Sequence, residues 1–174
     1  MIAVCDMGPL HYLVLIGAEH VLPQIFDRVL TPPAVLAEMG HPDTPMAVRG
    51  WAAAPPQWLE VKDPTWVEDI PSLGRKGARG AGEKAAIALA CEERADVILM
   101  DDKTGRREAR KRHLEPLWML QVLDEAAERK LINDLPDKLE YLEHRTRFYV
   151  GEKARAVIEA MKQRDLQRKQ RFGQ

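Results

Sequence analysis

The amino-acid sequence predicts an α/β fold with a mostly parallel central sheet and helices on both of its faces. Two patterns predict this class: short, continuously apolar runs, typical of strands buried on both faces, and segments of helical apolar spacing between them. Strands that alternate with helices of this length are usually joined in parallel. In such sheets, ligands bind at the carboxyl ends of the strands.

The first part of the chain begins this alternation. The apolar run IAVC predicts a buried strand over residues 2–5 that ends at Asp6. Helical apolar spacing follows in HYLVLIGAEHVLPQIF, and DRVLTPP predicts a second short strand closed by two prolines. Because proline suits the first turn of a helix, AVLAEMG is expected to be helical up to Gly40.

Residues 41–82 are predicted to form an irregular insertion. The segment is rich in Pro, Gly and Ala, and WLEVKD is its only plausible strand. Trp51, Trp58 and Trp66 all lie in this insertion. Apolar packing is the commoner use of such residues, and we favour it over base stacking.

The second part of the chain repeats the alternation. GEKAAIALACEERA predicts a helix, VILM a buried strand, TGRREARKRH a basic helix, LEPLWM a further strand and LQVLDEAAERKLI another helix. From residue 135 the chain is predicted to be helical and increasingly basic. We therefore expect one domain over residues 1–149 and a basic helical extension over residues 150–174.

The composition is that of a soluble globular protein: 174 residues, 45% apolar and 30% charged, with a mean hydropathy of -0.36. The first residues lack a basic segment and include Asp6, Gly8 and Pro9, so we expect no signal peptide or membrane span and a cytoplasmic location. Two cysteines are too few for a disulfide scaffold or a four-ligand zinc site. A net charge of -1 argues against binding of nucleic acid by bulk charge.

Acidic side chains recur where the predicted elements begin or end. Asp6 follows the first strand, and Asp101 and Asp102 follow VILM, so a parallel sheet brings them to one edge. Glu83 and Glu38 each share a helix face with apolar residues, where a carboxylate is costly unless a cation compensates it. For any one acid, helix capping or stabilisation by the helix dipole is an ordinary explanation. Only their shared placement indicates a site.

Crowded carboxylates indicate a divalent ion, because they repel one another unless a cation neutralises them. All-oxygen ligands without a His or Cys cluster favour Mg²⁺ or Mn²⁺ over zinc. Such an ion lowers the pKa of water and stabilises charge on a phosphoryl group. The sequence therefore predicts hydrolysis of a phosphodiester, with Asp6, Glu83, Asp101 and Asp102 as metal ligands.

A basic helix follows the last two acids. Six basic residues and one acid lie between Lys103 and Arg112. We expect Lys103, Arg106, Arg107 and Arg110 to contact the phosphate backbone of RNA, with Arg106 closest to the acids. A solvated helix face is the alternative for most of them.

Four segments around these acids resemble the PIN-domain family, in particular a PIN-like subgroup of unknown function related to VapC-type toxins. They are CDMGPLHYL, LTPPAVLAEM, GEKAAIALA and ILMDDKTGRREA, and the resemblance runs from Ile2 to about Tyr149. It implies a three-layer α/β/α sandwich and Mg²⁺- or Mn²⁺-dependent ribonuclease activity. It also implies a homodimer, often inhibited by a small antitoxin protein.

The resemblance also assigns the acids residue by residue. Those that match the family's catalytic set by position are Asp6, Glu38, Glu83 and Asp102. Asp101 is an added neighbour typical of the subgroup. Many relatives carry a hydroxyl residue where this chain has Gly8 and another where it has Met100, which bears on rate and substrate choice more than on the metal site.

Two other functions compete with this prediction. A phosphohydrolase with Asp6 as its nucleophile would also carry an acid after the first strand, but Gly8 stands where such enzymes usually have a second acid. A PIN-like module that has lost catalysis would serve as an RNA-binding or protein-interaction scaffold. Retention of all the acids favours the ribonuclease, since a scaffold gains nothing obvious from crowded carboxylates.

Overall fold

The computed structural model describes residues 1–65, 70 and 80–172, except for the side chain of Phe172. The predicted α/β class is confirmed: the central sheet has five strands in the described residues, and every neighbouring pair is parallel. The strands are β1 (Ile2–Cys5), β2 (Arg28–Thr31), β3 (Leu59–Val61), β4 (Val97–Leu99) and β5 (Pro116–Leu117).

The helices alternate with these strands along the chain. The first are α1 (Met7–Leu15), α2 (Leu22–Ile25), α3 (Pro33–Met39), α4 (Met46–Ala53), α5 (Ala81–Glu92) and α6 (Lys103–Lys111), with one turn of 3₁₀-helix over Glu19–Val21. They are followed by α7 (Met119–Glu128), α8 (Leu135–Arg145) and α9 (Glu152–Phe172). The chain divides into two compact units, Met1–Met119 and Leu120–Gln174.

The order of the strands across the sheet is β3-β2-β1-β4-β5. The chain builds outward from β1 in one direction through β2 and β3, and then in the other direction through β4 and β5. The direction reverses between β1 and β4, and in open parallel sheets the ligand crevice lies at the carboxyl ends of two such strands. This order places the crevice beside Asp6, which follows β1, and Asp101, which lies just beyond β4.

The core of the first unit forms around the middle strands. Val4, Leu30 and Ile98 are completely buried and pack in one cluster with the apolar face of α5. The apolar runs in β1 and β4 are therefore buried as their continuous patterns predict. Burial of this kind contributes about 1.5–3 kcal/mol for each large aliphatic side chain, which fixes the strand ends that carry the acids.

The structure corrects two predictions in the first half of the chain. Residues 41–65 are not irregular throughout, because they form α4 and the edge strand β3; Val48 and Ala52, four residues apart, bury one face of α4. The first helix begins at Met7 rather than at His11. Pro9 is tolerated there because the amides of a first helical turn have no partner within the helix.

The second unit contains most of α7 together with α8 and α9. The continuous helical segment predicted from residue 135 is divided, because α8 ends at Arg145 and α9 begins at Glu152. Arg164 and Arg168 of α9 pair with Asp124 of α7 at 2.5 and 2.8 Å. The predicted boundary between residues 149 and 150 stays a prediction. In the described part of the chain, no helix is long and apolar enough to cross a membrane.

Two helical glycines make the packing testable. A Cβ at Gly50 of α4 would meet nothing within 4 Å, whereas a Cβ at Gly105 of α6 would clash with the sulfur of the buried Met100 side chain. Gly50→Ala should raise the free energy of unfolding by about 0.5–1 kcal/mol by lowering the entropy of the unfolded chain. Gly105→Ala should lower it by about 1–3 kcal/mol through overpacking. Urea unfolding measures both changes, and equal stabilities for the two variants would contradict this packing.

Candidate active site

Asp6 lies at the carboxyl end of β1, at the point where the strand order reverses. Its backbone N–H donates to the Leu99 carbonyl at 3.0 Å, which joins the ends of β1 and β4. Its side chain is only 4% exposed and makes no capping hydrogen bond to α1, so helix capping does not explain this acid. Among the described residues, nothing donates a hydrogen bond to its Oδ1 oxygen.

Other carboxyl groups surround Asp6. The pKa of Asp6 is raised to about 8, mainly by burial and then by the charges of Glu83, Glu38 and Asp101 in that order of size. The nearby backbone amide of Met7 acts in the opposite direction. The acids that follow β1 and β4 and those of α3 and α5 are therefore close enough to influence one another at Asp6.

Glu83 and Glu38 reach this point from two helices that pack together. Glu83, in the first turn of α5, is 3% exposed, and Ala86 and Ile87 on its helix are completely buried. Glu38 is half-buried, and its Oε1 accepts a hydrogen bond from the Gly82 N–H at 2.8 Å. A Cβ at Gly82 would lie only 3.0 Å from that oxygen. The glycine therefore allows the Glu38 carboxylate to approach the start of α5.

The neighbours Asp101 and Asp102 differ in what they contact. Asp102 caps α6, since its Oδ1 accepts hydrogen bonds from the N–H groups of Thr104 and Gly105 at 2.8 and 2.9 Å. The charge of Asp101 instead raises the pKa of Asp6. The Asp101 Oδ1 accepts a hydrogen bond from the Met119 N–H at 3.0 Å. Of the two, Asp101 is the acid that joins the cluster around Asp6.

The Asp101 carboxyl group, like that of Asp6, has a raised pKa and a buried oxygen. Burial raises its pKa to about 6, although the Met119 amide and the Arg106 guanidinium act to lower it. Its Oδ2 oxygen is buried and receives no hydrogen bond from the described residues. The Cα of Gly8 lies close by, since a Cβ there would be 3.9 Å from the Asp101 Cβ.

The donor set fits a hard divalent cation in its chemistry. The converging groups are all carboxylates, and buried oxygens of Asp6 and Asp101 lack hydrogen-bond donors among the described residues. Mg²⁺ and Mn²⁺ prefer such oxygen ligands. However, no group of three or more His, Cys, Asp or Glu side chains stands in metal-ligand arrangement within residues 1–65, 70 and 80–172. The structure thus shows acids gathered together but not a formed coordination shell.

The basic residues of α6 are of two kinds. Lys103, Arg107 and Arg110 are exposed, while Arg106 is half-buried. The Arg106 Nη1 donates to the carbonyl of Asp101 and, at 3.5 Å, to that of Met100. The guanidinium thereby fixes the segment that carries Asp101.

Sequence reasoning did not single out several residues that shape the site. Trp118 follows β5 and lies 4.5 Å below the Arg106 guanidinium; its position after a strand was the available signal. Thr31 is buried, and its hydroxyl donates to the Cys5 carbonyl at 2.9 Å. No sequence pattern indicated this bond. Trp66 and residues 71–79 of the predicted insertion lie outside the described residues.

The raised pKa of Asp6 predicts a pH dependence of stability. Its folded-state pKa of about 8 exceeds the unfolded value near 3.8, so between these pH values the folded state binds a proton that the unfolded state releases. Stability should therefore fall as pH rises through this range, by up to about 1.4 kcal/mol per pH unit. Asp6→Asn removes the ionisable group, so its stability relative to wild type should increase with pH.

Urea unfolding between pH 4.5 and 8.5 in EDTA measures this difference. Asp27→Asn is a matched control, because Asp27 is exposed and its pKa is lowered by the N-terminal ammonium. Parallel curves for wild type and Asp6→Asn would contradict the proposed environment of Asp6.

Comparison with known families agrees with this architecture. A family model described as a PIN domain matches residues 2–164, which is most of the chain. The predicted family resemblance is confirmed, and the match continues beyond Tyr149 into α9. Comparison with curated proteins gives no match, and comparison with solved structures gives none either. PIN domains are generally metal-dependent nucleases. The chain belongs to the PIN-domain family.

Proposed function

We propose that this chain is a Mg²⁺- or Mn²⁺-dependent endoribonuclease that hydrolyses RNA phosphodiester bonds. The observation that carries the proposal is the convergence of Asp6, Glu38, Glu83 and Asp101 at the crevice of a parallel sheet. Buried carboxylates of like charge are strongly disfavoured, and they cluster most often where function requires them. The membership of a family of nucleases supports the same reaction.

Asp6, Glu83 and Asp101 would hold the ion. Asp6 and Asp101 each have a buried oxygen that no described residue hydrogen-bonds, and Glu83 is buried beside Asp6. Glu83 and Glu38 add negative charge at the same point. The bound ion would supply positive charge that stabilises the phosphoryl group in the transition state and lowers the pKa of water. Asp102 caps α6 through its Oδ1 and would hold the Asp101 segment in place, while its role as a further ligand stays a prediction.

The rest of the chain would bind and orient the substrate. Lys103, Arg107 and Arg110 are exposed on α6, the helix that starts directly after the acids. Three cations on one side of the site would offset its negative charge and contact the RNA backbone. Without an ion, Asp6 holds a proton near neutral pH, which must be released when a cation binds.

The proposal extends to partners that the family resemblance implies. We propose a homodimer in the cytoplasm, with activity controlled by a small antitoxin protein. The alternative is a PIN-like scaffold that binds RNA or protein without cutting it. The hydrogen bond from the Met119 N–H to Asp101 is the observation that favours it, because it already engages one oxygen of a carboxylate that the ion would need.

Cleavage of a short unstructured RNA separates these two functions. Wild-type protein should cut it in Mn²⁺ and not in EDTA, and Asp6→Asn should lower the rate by roughly 10²-fold or more, the usual size for loss of one electrostatic group in an active site. Gly50→Ala, purified identically, should keep the wild-type rate, because Gly50 lies on α4 and an added Cβ would meet nothing within 4 Å. Equal cleavage by Asp6→Asn would identify a contaminating nuclease. Absence of both cleavage and a Mn²⁺-dependent thermal shift would support the scaffold.

Asp101 and Asp102 should respond differently to substitution. Asp101→Asn removes charge from the acid cluster, so it should lower the Mn²⁺-dependent rate about as much as Asp6→Asn. Asp102→Asn keeps a side chain that caps helices as well as Asp does, so its stability should be nearly unchanged and its rate should fall far less. Asp102→Ala should cost about 1 kcal/mol of stability through loss of the cap.

Rates and urea unfolding on the three variants check these expectations. A rate for Asp102→Asn as low as that of Asp101→Asn would show that Asp102 acts in catalysis itself.

A further inference from the structure

We propose that Trp118 and Arg106 form a stacking platform for one base of a single-stranded RNA beside the acid cluster. This inference rests on the proposed function, since it assigns how the same site holds its substrate. Trp118 and Arg106 would contact a base of the RNA, whereas the exposed cations of α6 would contact its phosphates.

The position of Trp118 is the first support. It follows β5 at the carboxyl edge of the sheet, the edge that also carries Asp6 and Asp101. The next residue, Met119, donates its N–H to the Asp101 Oδ1 at 3.0 Å. The indole therefore stands one residue from a direct contact with the acid cluster, and it is half-exposed.

The contact with Arg106 is the second support. The guanidinium lies 4.5 Å from the centre of the indole ring, within the range of a cation–π interaction. Its Nη1 also donates to the Asp101 and Met100 carbonyls, so the cation is held at a fixed place above the ring. A fixed indole with a fixed guanidinium is pre-organised for stacking, and both groups stack on bases of any sequence.

Electrostatics favours a base rather than a phosphate at this place. The nearby acids repel anions, and Arg106 already interacts with two carbonyls and an aromatic ring. A base is neutral, so stacking adds binding energy next to the acids without bringing further negative charge. The exposed part of the indole ring contributes to the binding free energy because the base buries it on contact.

Trp58 offers a matched control. It pairs with Trp51 at a ring separation of 6.2 Å and is half-buried as Trp118 is, but it lies just before β3 at the far edge of the sheet. Substitution of either tryptophan removes the same side chain, while only Trp118 adjoins the acids.

The test is binding of two fluorescein-labelled RNA octamers, one with all bases and one with abasic sugars in the central positions, measured by anisotropy in EDTA. Wild-type protein should bind the complete octamer more tightly, and Trp118→Leu should weaken that binding roughly 5- to 100-fold, the range for loss of one stacked base. Trp118→Leu should bind the abasic octamer as wild type does. Trp118→Phe should retain most of the preference for bases, and Trp58→Leu should retain all of it.

Equal binding of the two octamers by wild type, or no binding of either, would overturn the platform, as would equal affinities of Trp118→Leu and Trp58→Leu. If Trp118→Leu is unfolded by circular dichroism, the indole emission of wild type decides. Quenching by the complete octamer but not the abasic one, lost in Trp118→Phe, supports stacking, and quenching that persists in Trp118→Phe rejects it.

The cleavage assay keeps the two proposals apart. A base preference that depends on Trp118, without Mn²⁺-dependent cleavage, would support the platform and reject the nuclease. Cleavage without that preference would support the nuclease and reject the platform.

Discussion

The burial of the Asp6 carboxyl group beside other acids is the constraint on which the rest of the site depends. The parallel pairing of β1 with β4 creates it, because the Asp6 N–H donates to the Leu99 carbonyl at 3.0 Å and so draws the segment carrying Asp101 towards Asp6. A carboxyl group in such surroundings must be protonated or paired with a cation. The central strands of the sheet thus end where ionised carboxyl groups are disfavoured by burial and by mutual repulsion.

Two glycines lie beside these acids, and one of them allows a close approach. Gly82 donates its N–H to Glu38, and a side chain there would press on the same carboxylate. Gly8, in the first turn of α1, lies beside Asp101, and a Cβ there would make an ordinary van der Waals contact with the Asp101 Cβ. The absence of a hydroxyl at Gly8 therefore changes the surroundings of Asp101 without displacing any acid. The neighbouring Met100 fills the space beside Gly105 instead of supplying a polar group.

Much of this arrangement follows from local sequence patterns, and the rest depends on contacts that no pattern encodes. Continuous apolar runs predict β1 and β4, and an acid directly after such a run predicts the edge on which it lies. Asp101 and Asp102 follow the same strand, however, and which one faces Asp6 is set by the backbone turn into α6. Asp102 has the extended backbone of a helix cap, with φ of -67° and ψ of 133°, so its side chain turns to the helix amides. The sequence did not predict helix α4, because its apolar stripe is short and the prolines on both sides of it indicate an irregular segment.

The described residues supply little positive charge to this cluster. Arg106 acts to lower the pKa of Asp101, but its guanidinium is engaged by two carbonyls and the Trp118 ring, and no cation of the described residues figures among the influences on Asp6. A structural cluster of acids would be expected to recruit such a cation, as Glu108 does with Lys111 and Arg112. Within the described residues, the charge of Asp6 is therefore balanced by a proton or requires a cation that these residues do not supply.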